Sequence, residues 1–319
     1  MAPVVLITFP DYDIAHPDHG GALAAAGYEM RVAAKRGARS PDELLAMCKD
    51  AAGAIVSTDP FTRDVLRACP TLRVIARVGV GVDSIDVTAA TDHGIAVTIT
   101  PGANEDTVAD HALALMLAIL RRIPEHDAGV RRGEWNRTGV HTPRLLTGAT
   151  VGLIGYGRIG RKVARRLAGF DVEVLVCDPA APADSTSIPM DDLLARSDIV
   201  SLHCPLLEST RHLIDTRALR LMRPHAVLIN TARGGVVDEV ALLQALTDGV
   251  IAGAALDVFE FEPPHASPLL ALPNVVVSPH VGGISTTSID EMTRMATQSV
   301  IDVLAGRVPD GLVNRAIAG

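Results

Sequence analysis

Three residues in the last third of the chain are of types that handle an anionic, proton-exchanging ligand. Arg233 stands in Asn230-Thr231-Ala232-Arg233-Gly234-Gly235. Glu262 stands in Asp257-Val258-Phe259-Glu260-Phe261-Glu262-Pro263, and His280 in Ser278-Pro279-His280-Val281-Gly282-Gly283. A guanidinium offers a rigid bidentate fork for a carboxylate. An imidazole gives or takes a proton near neutrality. A carboxylate beside it favours the charged form and fixes the useful tautomer.

A second constellation lies upstream. Gly155-Tyr156-Gly157-Arg158-Ile159-Gly160 follows an apolar run at 151–154 and precedes a helical stretch at 161–168. GxGxxG alone is a weak signal, but strand before and helix after are the context a dinucleotide needs. The first glycine allows the tight turn, the second lets backbone approach a pyrophosphate, and the third lets helix pack on strand. Free N–H groups at the helix start favour the diphosphate charge. Asp178 follows Gly160 by eighteen residues and ends the next apolar run. A carboxylate there binds ribose hydroxyls and repels a 2′-phosphate, so NAD is expected rather than NADP. No Arg or Lys stands in Pro179-Ala180-Ala181 to relieve that repulsion. With a hydride donor expected, Arg233, Glu262 and His280 match what reduction of a 2-keto acid demands: a held carboxylate, a polarised carbonyl and a proton for the developing alkoxide.

Such residues need strand ends to present them. Short apolar runs at 4–8, 54–57, 74–76 and 95–98 alternate with helical stretches at 41–51 and 62–68. Ser40 before Pro41 reads as a helix N-cap followed by proline at the first position. A long apolar helix is predicted over 104–120, followed by a basic, turn-rich segment at 121–147. Strands are predicted at 149–155, 172–177, 199–203, 226–230, 254–258 and 275–278, and a last helix over 288–304. Alternation of this kind predicts parallel βαβ units. We expect an α/β protein of two doubly wound parallel-sheet domains, one over 1–100 plus 285–319 and one over 101–284. A single continuous sheet is the alternative. Arg233, Glu262 and His280 all fall after strand ends of the second domain, where open α/β sheets bind ligands.

The 319 residues are 48% apolar with only five Phe, three Tyr and one Trp. Ala, Val, Leu and Ile must fill the interior, as suits sheets buried on both faces. The net charge of −8 speaks against nucleic-acid or anionic-membrane partners, while a small anionic substrate needs only local cations. Cys48, Cys69, Cys177 and Cys204 form no CxxC and no metal-ligand spacing. No metal is expected, and the four read as reduced thiols of a cytoplasmic protein. The N-terminus has no basic region before its apolar run, and the longest apolar stretch, 112–120, is about half of a membrane span.

These segments and their order resemble the D-isomer-specific 2-hydroxyacid dehydrogenase family, and within it the phosphoglycerate dehydrogenases. Arg77-Val78-Gly79-Val80-Gly81-Val82-Asp83 and Thr100-Pro101-Gly102-Ala103-Asn104 carry the latter likeness. The resemblance implies a Rossmann NAD-binding domain inserted into a flavodoxin-like substrate domain. It implies that Arg233 binds the substrate carboxylate and carbonyl, that His280 is the acid/base and that Glu262 is its partner. Tyr156, Gly157, Arg158 and Ile159 resemble the pyrophosphate turn. His203, Cys204 and Pro205 resemble the adenine-side wall, and Thr210 a phosphate-contacting threonine. Thr231 and Gly282 would lie at the cofactor, with Asp257 accepting from the nicotinamide carboxamide. The amides of Val78, Gly79 and Val80 would cradle the substrate carboxylate beside Arg77, and Asn104 would line the substrate site. Asp257 can also cap the turn after its strand, and His203 and Thr210 can be structural. The remaining histidines, His111 among them, carry no motif and are expected as surface or cap residues.

One departure concerns the substrate. Phosphoglycerate dehydrogenases usually carry an Arg after the strand near position 56, where this chain has Val56-Ser57-Thr58-Asp59-Pro60-Phe61. Only Arg77 is left there for a phosphate, with cations of 131–144 from a partner subunit as a second source. The segment 121–147, with Trp135, resembles the one through which family members pair, so a homodimer is expected. An NAD-sensing corepressor or scaffold of the same fold is the alternative, as is a relative acting on a phosphonate or sugar acid.

Overall fold

The computed structural model describes residues 2–33, 35, 39–139, 142–181 and 187–318. The chain forms two compact units, Met1–Asn104 with Ile284–Gly319, and Glu105–Gly283.

The first unit runs β1 (Val4–Ile7), α1 (Gly20–Ala25), β2 (Glu29–Val32), α2 (Pro41–Cys48), β3 (Ala51–Val56), α3 (Arg63–Arg67), β4 (Val74–Arg77), α4 (Val87–Asp92) and β5 (Ala96–Thr98). Its sheet has the order β2-β1-β3-β4-β5, parallel throughout. This is the flavodoxin-like winding. Ser40 closes a full capping box with Glu43 ahead of Pro41, as its sequence signature requires. The edge strand β2 was not expected. Its pattern, Glu29-Met30-Arg31-Val32, is only half-buried, so it lacks the apolar signature of a central strand.

The second unit opens with α5 (Glu105–Leu120) and α6 (Ile123–Arg131). It continues β6 (Thr150–Ile154), α7 (Arg158–Leu167), β7 (Glu173–Cys177), α8 (Met190–Arg196), β8 (Ile199–Leu202), α9 (Thr216–Leu221), β9 (Val227–Asn230), α10 (Glu239–Thr247), β10 (Gly253–Leu256) and β11 (Val275–Val277). Sheet order is β11-β10-β9-β8-β6-β7. Beyond β7, Ser187 makes one parallel bridge to Val176, where a Rossmann sheet would carry a further strand. The segment at 121–147 is less turn-rich than expected, because α6 occupies nine of its residues. Helix α7 begins at Arg158, three residues before the expected start. The chain then returns to the first unit as α11 (Thr286–Leu304), which buries Met292, Ala296 and Val300 against Val5, Ile7 and Val74.

Both sheets are covered on both faces. In the second unit, α5 places Ala109, Ala112 and Met116 against Val151, Leu153 and Ile229. The opposite face packs Leu193, Leu202, Leu228 and Leu242. Helices α5 and α7 are further tied by ion pairs from Glu105 to Arg158, Asp106 to Lys162 and Asp110 to Arg166.

Candidate active site

The second sheet ends in a level row. Cys177, Ile154, Leu202, Asn230, Leu256 and Val277 are register partners across its six strands. Since all strands run parallel, the loops after them leave from one edge. Those loops carry Asp178, the Gly155–Gly160 turn, His203–Pro205, Arg233, Asp257 and Glu262, and His280.

His280 Nδ1 lies 2.7 Å from Glu262 Oε2. Glu262 Oε1 accepts the Phe259 N–H at 3.0 Å, so the carboxylate is held by its own loop. The His280–Glu262 pair is half-exposed, but its frame is buried. Asp257, 2% exposed, accepts from Ser278 Oγ (2.6 Å), Val281 N–H (2.9 Å) and Gly282 N–H (2.7 Å). His111 Nε2 stands 3.3 Å from its Oδ1 and 2.9 Å from Ser278 Oγ. Burial alone would push the Asp257 carboxyl up. The hydrogen bonds from His111, Ser278, Val281 and Gly282 outweigh it and hold the group at about 2. The Asp257 carbonyl accepts the His280 N–H at 2.8 Å. His280 itself has φ 54°, a strained backbone for a non-glycine residue, of the kind found where surroundings over-determine a position.

Arg233 follows β9 on a turn closed by Asn230. The Asn230 side chain donates to the Arg233 carbonyl and accepts from the Ala232 N–H, both at 3.0 Å. The next residue joins the Arg233 loop to the Glu262 loop. A Cβ on Gly234 would stand 1.8 Å from the Phe259 carbonyl carbon, so only glycine lets these two backbones touch.

The dinucleotide turn is built as the glycine pattern requires. Gly155 has φ 96°, and a Cβ there would strike the His203–Cys204 backbone within 2.6 Å. A Cβ on Gly160 would come 2.3 Å from the Gly155 carbonyl oxygen. A Cβ on Gly157 meets nothing within 4 Å. That open side is where a ligand can approach, and no side chain caps the N-terminus of α7. Its first-turn N–H groups therefore remain for an anion. Asp178 accepts from Tyr156 N–H (2.5 Å) and Ala180 N–H (2.7 Å), which fixes its carboxylate beside the turn. Buried atoms without a partner among the described residues include Thr231 Oγ1 and His203 Nδ1. Burial lowers the His203 imidazole to about 4 and raises the Cys204 thiol to about 11. Both groups are neutral at pH 7, a surface suited to a base. The residues present thus fit a bound dinucleotide.

Several expected contacts are otherwise engaged. The Thr210 hydroxyl donates to the Pro205 carbonyl (2.6 Å) and accepts from the Leu207 N–H (2.7 Å), closing its own turn. The Arg158 guanidinium pairs with Glu105, which leaves its backbone as the phosphate donor. In the first unit the Val78 N–H goes to the Val56 carbonyl, and the Gly79 N–H to Thr100 Oγ1 at 3.0 Å. Of the three expected amides, only Val80 has no hydrogen bond among the described residues. Arg77 binds the carbonyls of Val78 and Gly81, so it clamps its own loop and does not stand ready for a phosphate. Asn104 is buried with Oδ1 unpartnered among the described residues.

His111, expected as a surface or cap residue, instead supports the Asp257–Ser278 pair. Its signal was a polar residue one helical turn from both of the buried residues Val108 and Leu115. Ser278, Asn230 and Gly234 stood inside the motifs but without a role.

The chain is similar to known proteins in sequence and in fold. The family described as D-isomer specific 2-hydroxyacid dehydrogenase, NAD binding domain, matches residues 113–282. A glyoxylate reductase of Korarchaeum cryptofilum is 44% identical over 277 residues, covering 83% of each chain. A D-3-phosphoglycerate dehydrogenase of Methanocaldococcus jannaschii is 42% identical over 281 residues, covering 86% of this chain and 53% of that protein. Among solved structures, the TT0316 protein of Thermus thermophilus superposes with a TM-score of 0.88 at 37% identity, covering 97% of this chain and 99% of that one. A dinucleotide turn that fits its ligand, a histidine–carboxylate pair on the same edge of the sheet and these likenesses together establish that the chain belongs to the D-isomer-specific 2-hydroxyacid dehydrogenase family, as an NAD-dependent oxidoreductase.

Proposed function

We propose that this dehydrogenase reduces a short, unphosphorylated 2-keto acid of the glyoxylate type. The observation that carries the reading is the His280–Glu262 pair at 2.7 Å, with the Glu262 loop packed against that of Arg233. Bound NADH supplies the hydride. The Gly155–Gly160 turn and the start of α7 would hold its diphosphate, and Asp178 its ribose hydroxyls. His203, Cys204 and Pro205 would face its adenine, with Thr231, Asp257 and Gly282 toward the nicotinamide. Thr210 is left with a structural role. Arg233 grips the substrate carboxylate and polarises the carbonyl. His280, its Nδ1 held by Glu262, hands the Nε2 proton to the carbonyl oxygen as negative charge develops there. Glu262 then loses the positive charge of its partner.

The stretch after β3, where a phosphate-binding Arg was expected, argues for the unphosphorylated substrate. Residues 56–61 hold no Arg, and Asp59 there forms a buried pair with Arg39 at 2.9 Å. Arg77 clamps its own loop. A panel of 2-keto acids, phosphorylated and not, offered with NADH and NADPH and followed by cofactor oxidation, tests this. We expect glyoxylate-sized acids with NADH to lead by at least about tenfold in kcat/KM, since an unpaired phosphate is rejected strongly. Preference for a phosphorylated acid would overturn the substrate assignment, and no turnover of any 2-keto acid would overturn the function.

We also assign this protein to a homodimer. Ile123, Val130, Trp135 and Leu145 are 56%, 55%, 74% and 73% exposed, an apolar surface of the sort subunits cover. Among the described residues, no helix is long and apolar enough to cross a membrane.

A further inference from the structure

The first unit contains a pair of groups that the reaction does not use. Cys48 is the last residue of α2, and Cys69 lies two residues beyond α3. Both are 0–1% exposed, in one core cluster with Leu44, Val65 and Leu66. Their sulfurs are 2.7 Å apart, closer than two unbonded sulfurs sit and approaching the roughly 2.05 Å of a covalent bridge. Twenty-one residues separate them in sequence. By contrast Cys177 and Cys204, which flank the dinucleotide turn, are half-buried with no such contact among the described residues.

We propose that Cys48 and Cys69 form a redox-modification site, closed to an intramolecular disulfide by a small peroxide. The geometry carries this, because the two sulfurs already touch inside one buried cluster, 2.7 Å apart. The chemistry has a defined order. The hydrogen bond from Cys48 holds the Cys69 thiol below its usual range, while the same contact and burial raise Cys48. Cys69 is therefore the nucleophile. Its thiolate attacks one oxygen of hydrogen peroxide, the O–O bond breaks, and a sulfenic acid and hydroxide result. The Cys48 sulfur then displaces the sulfenic hydroxyl. The S–S bond forms, the S–O bond breaks, and the Cys48 proton leaves with hydroxide as water. In sum, two thiols and one peroxide give one disulfide and two waters. Burial excludes bulky oxidants such as glutathione disulfide from either sulfur, which selects peroxide. The bridge would tie the end of α2 to the residues after α3 and shrink the unfolded ensemble of the first unit.

The test uses the full-length protein, reduced and then treated with limiting hydrogen peroxide, against an untreated control. Non-reducing tryptic mapping should join the peptides 40–49 and 68–73 with a loss of about two mass units, reversed by dithiothreitol. Free thiols should fall from four to two. Melting temperature should rise by about 5–10 °C, and Cys69→Ser should abolish the rise while leaving 2-keto acid reduction unchanged. Glutathione disulfide at matched potential should react far more slowly. Four free thiols persisting after peroxide in a folded protein would overturn the proposal. So would a bridge to Cys177 or Cys204, or over-oxidation of Cys69 without cross-linking.

Discussion

Gly234→Ala is the smallest change that should separate the catalytic loops. The added methyl would stand 1.8 Å from the Phe259 carbonyl carbon, 2.0 Å from its oxygen and 2.3 Å from the Glu260 nitrogen. Unbonded carbons settle at about 3.5–4.0 Å, so the Arg233 and Glu262 loops must part by roughly 1.5–2 Å. All three obstructing atoms are backbone, and no rotamer change relieves them. Phe259 is also the residue whose N–H holds Glu262 Oε1, so the displacement passes to the partner of His280. A misplacement of about 1 Å in a catalytic group costs on the order of 10²-fold in rate, and overpacking of this kind costs about 1–3 kcal/mol of stability. We therefore expect kcat with glyoxylate to fall about 10²-fold. NADH affinity, from fluorescence titration, should stay within about threefold, less than 1 kcal/mol, because the Gly155–Gly160 turn is untouched. A circular-dichroism melt shows whether the variant is folded. A folded variant with kcat within about threefold of the parent would refute the reasoning, since the loops would then tolerate a gap that the mechanism forbids. Loss of NADH binding in a folded variant would refute it too, because the wrong part would have moved.

His280→Ala should lower kcat by about 10²–10⁴-fold with NADH still bound, and near-normal turnover would remove His280 from the chemistry. Asp178→Ser should erode the preference for NADH over NADPH by at least about tenfold, read as a ratio of kcat/KM values. Acid should destabilise the fold in two stages, followed by denaturant melts at stepped pH. His203 titrates at about 4 when folded against 6.5 unfolded, so the unfolded chain takes up the proton first. Stability is whole above pH 6.5 and is lost as pH falls toward 4, by about 2 kcal/mol at pH 5. Asp257 and Asp198, held at about 2 against 3.8, contribute above 3.8 and lose that contribution, about 2 kcal/mol each, as pH falls further. A flat stability between pH 6.5 and 5 would show that His203 is not buried neutral.

What the sequence made legible was whatever depends on local pattern. Strands buried on both faces leave near-continuous apolar runs, so the central strands of both sheets were readable to within a few residues. The need for glycine at 155 and 160 was readable because each follows from the absence of a side chain. Features set by exposure or by distant partners were not. Strand β2 is an edge strand with both charged residues on it, and α6 contains Gly129 and Pro124 and has little apolar character to mark it. The Val78 and Gly79 amides looked available from their motif, yet their N–H groups are taken by Val56 and by Thr100, partners about twenty residues away. Arg77 looked like an anion ligand until its loop folded back onto it. His111 could not be tied to Asp257, 146 residues later in the chain, without the sheet that brings them together.

Asp257 shows why the frame of this site has to be a carboxylate. Its Oδ1 accepts from Ser278 and Val281, and its Oδ2 from Gly282. An asparagine of the same shape must turn an NH2 group toward one of these sites. Turned one way, it faces the Gly282 N–H, donor against donor. Turned the other, it faces the Val281 N–H, with Ser278 left to rotate. Either way a buried N–H loses its acceptor, at a cost of about 1–3 kcal/mol. The loop that loses it is the one holding His280 at φ 54°, a conformation that itself costs about 1–3 kcal/mol. With support and strain of similar size, Asp257→Asn should release the residue to an ordinary backbone conformation and draw its imidazole off Glu262. The expected result is a drop of about tenfold or more in kcat, larger than any change in NADH affinity, with the His280 ring resonances broadened or shifted in a nitrogen-edited NMR spectrum. If instead NADH affinity fell while kcat at saturating cofactor held, the carboxylate would be acting on the nicotinamide and not on the loop.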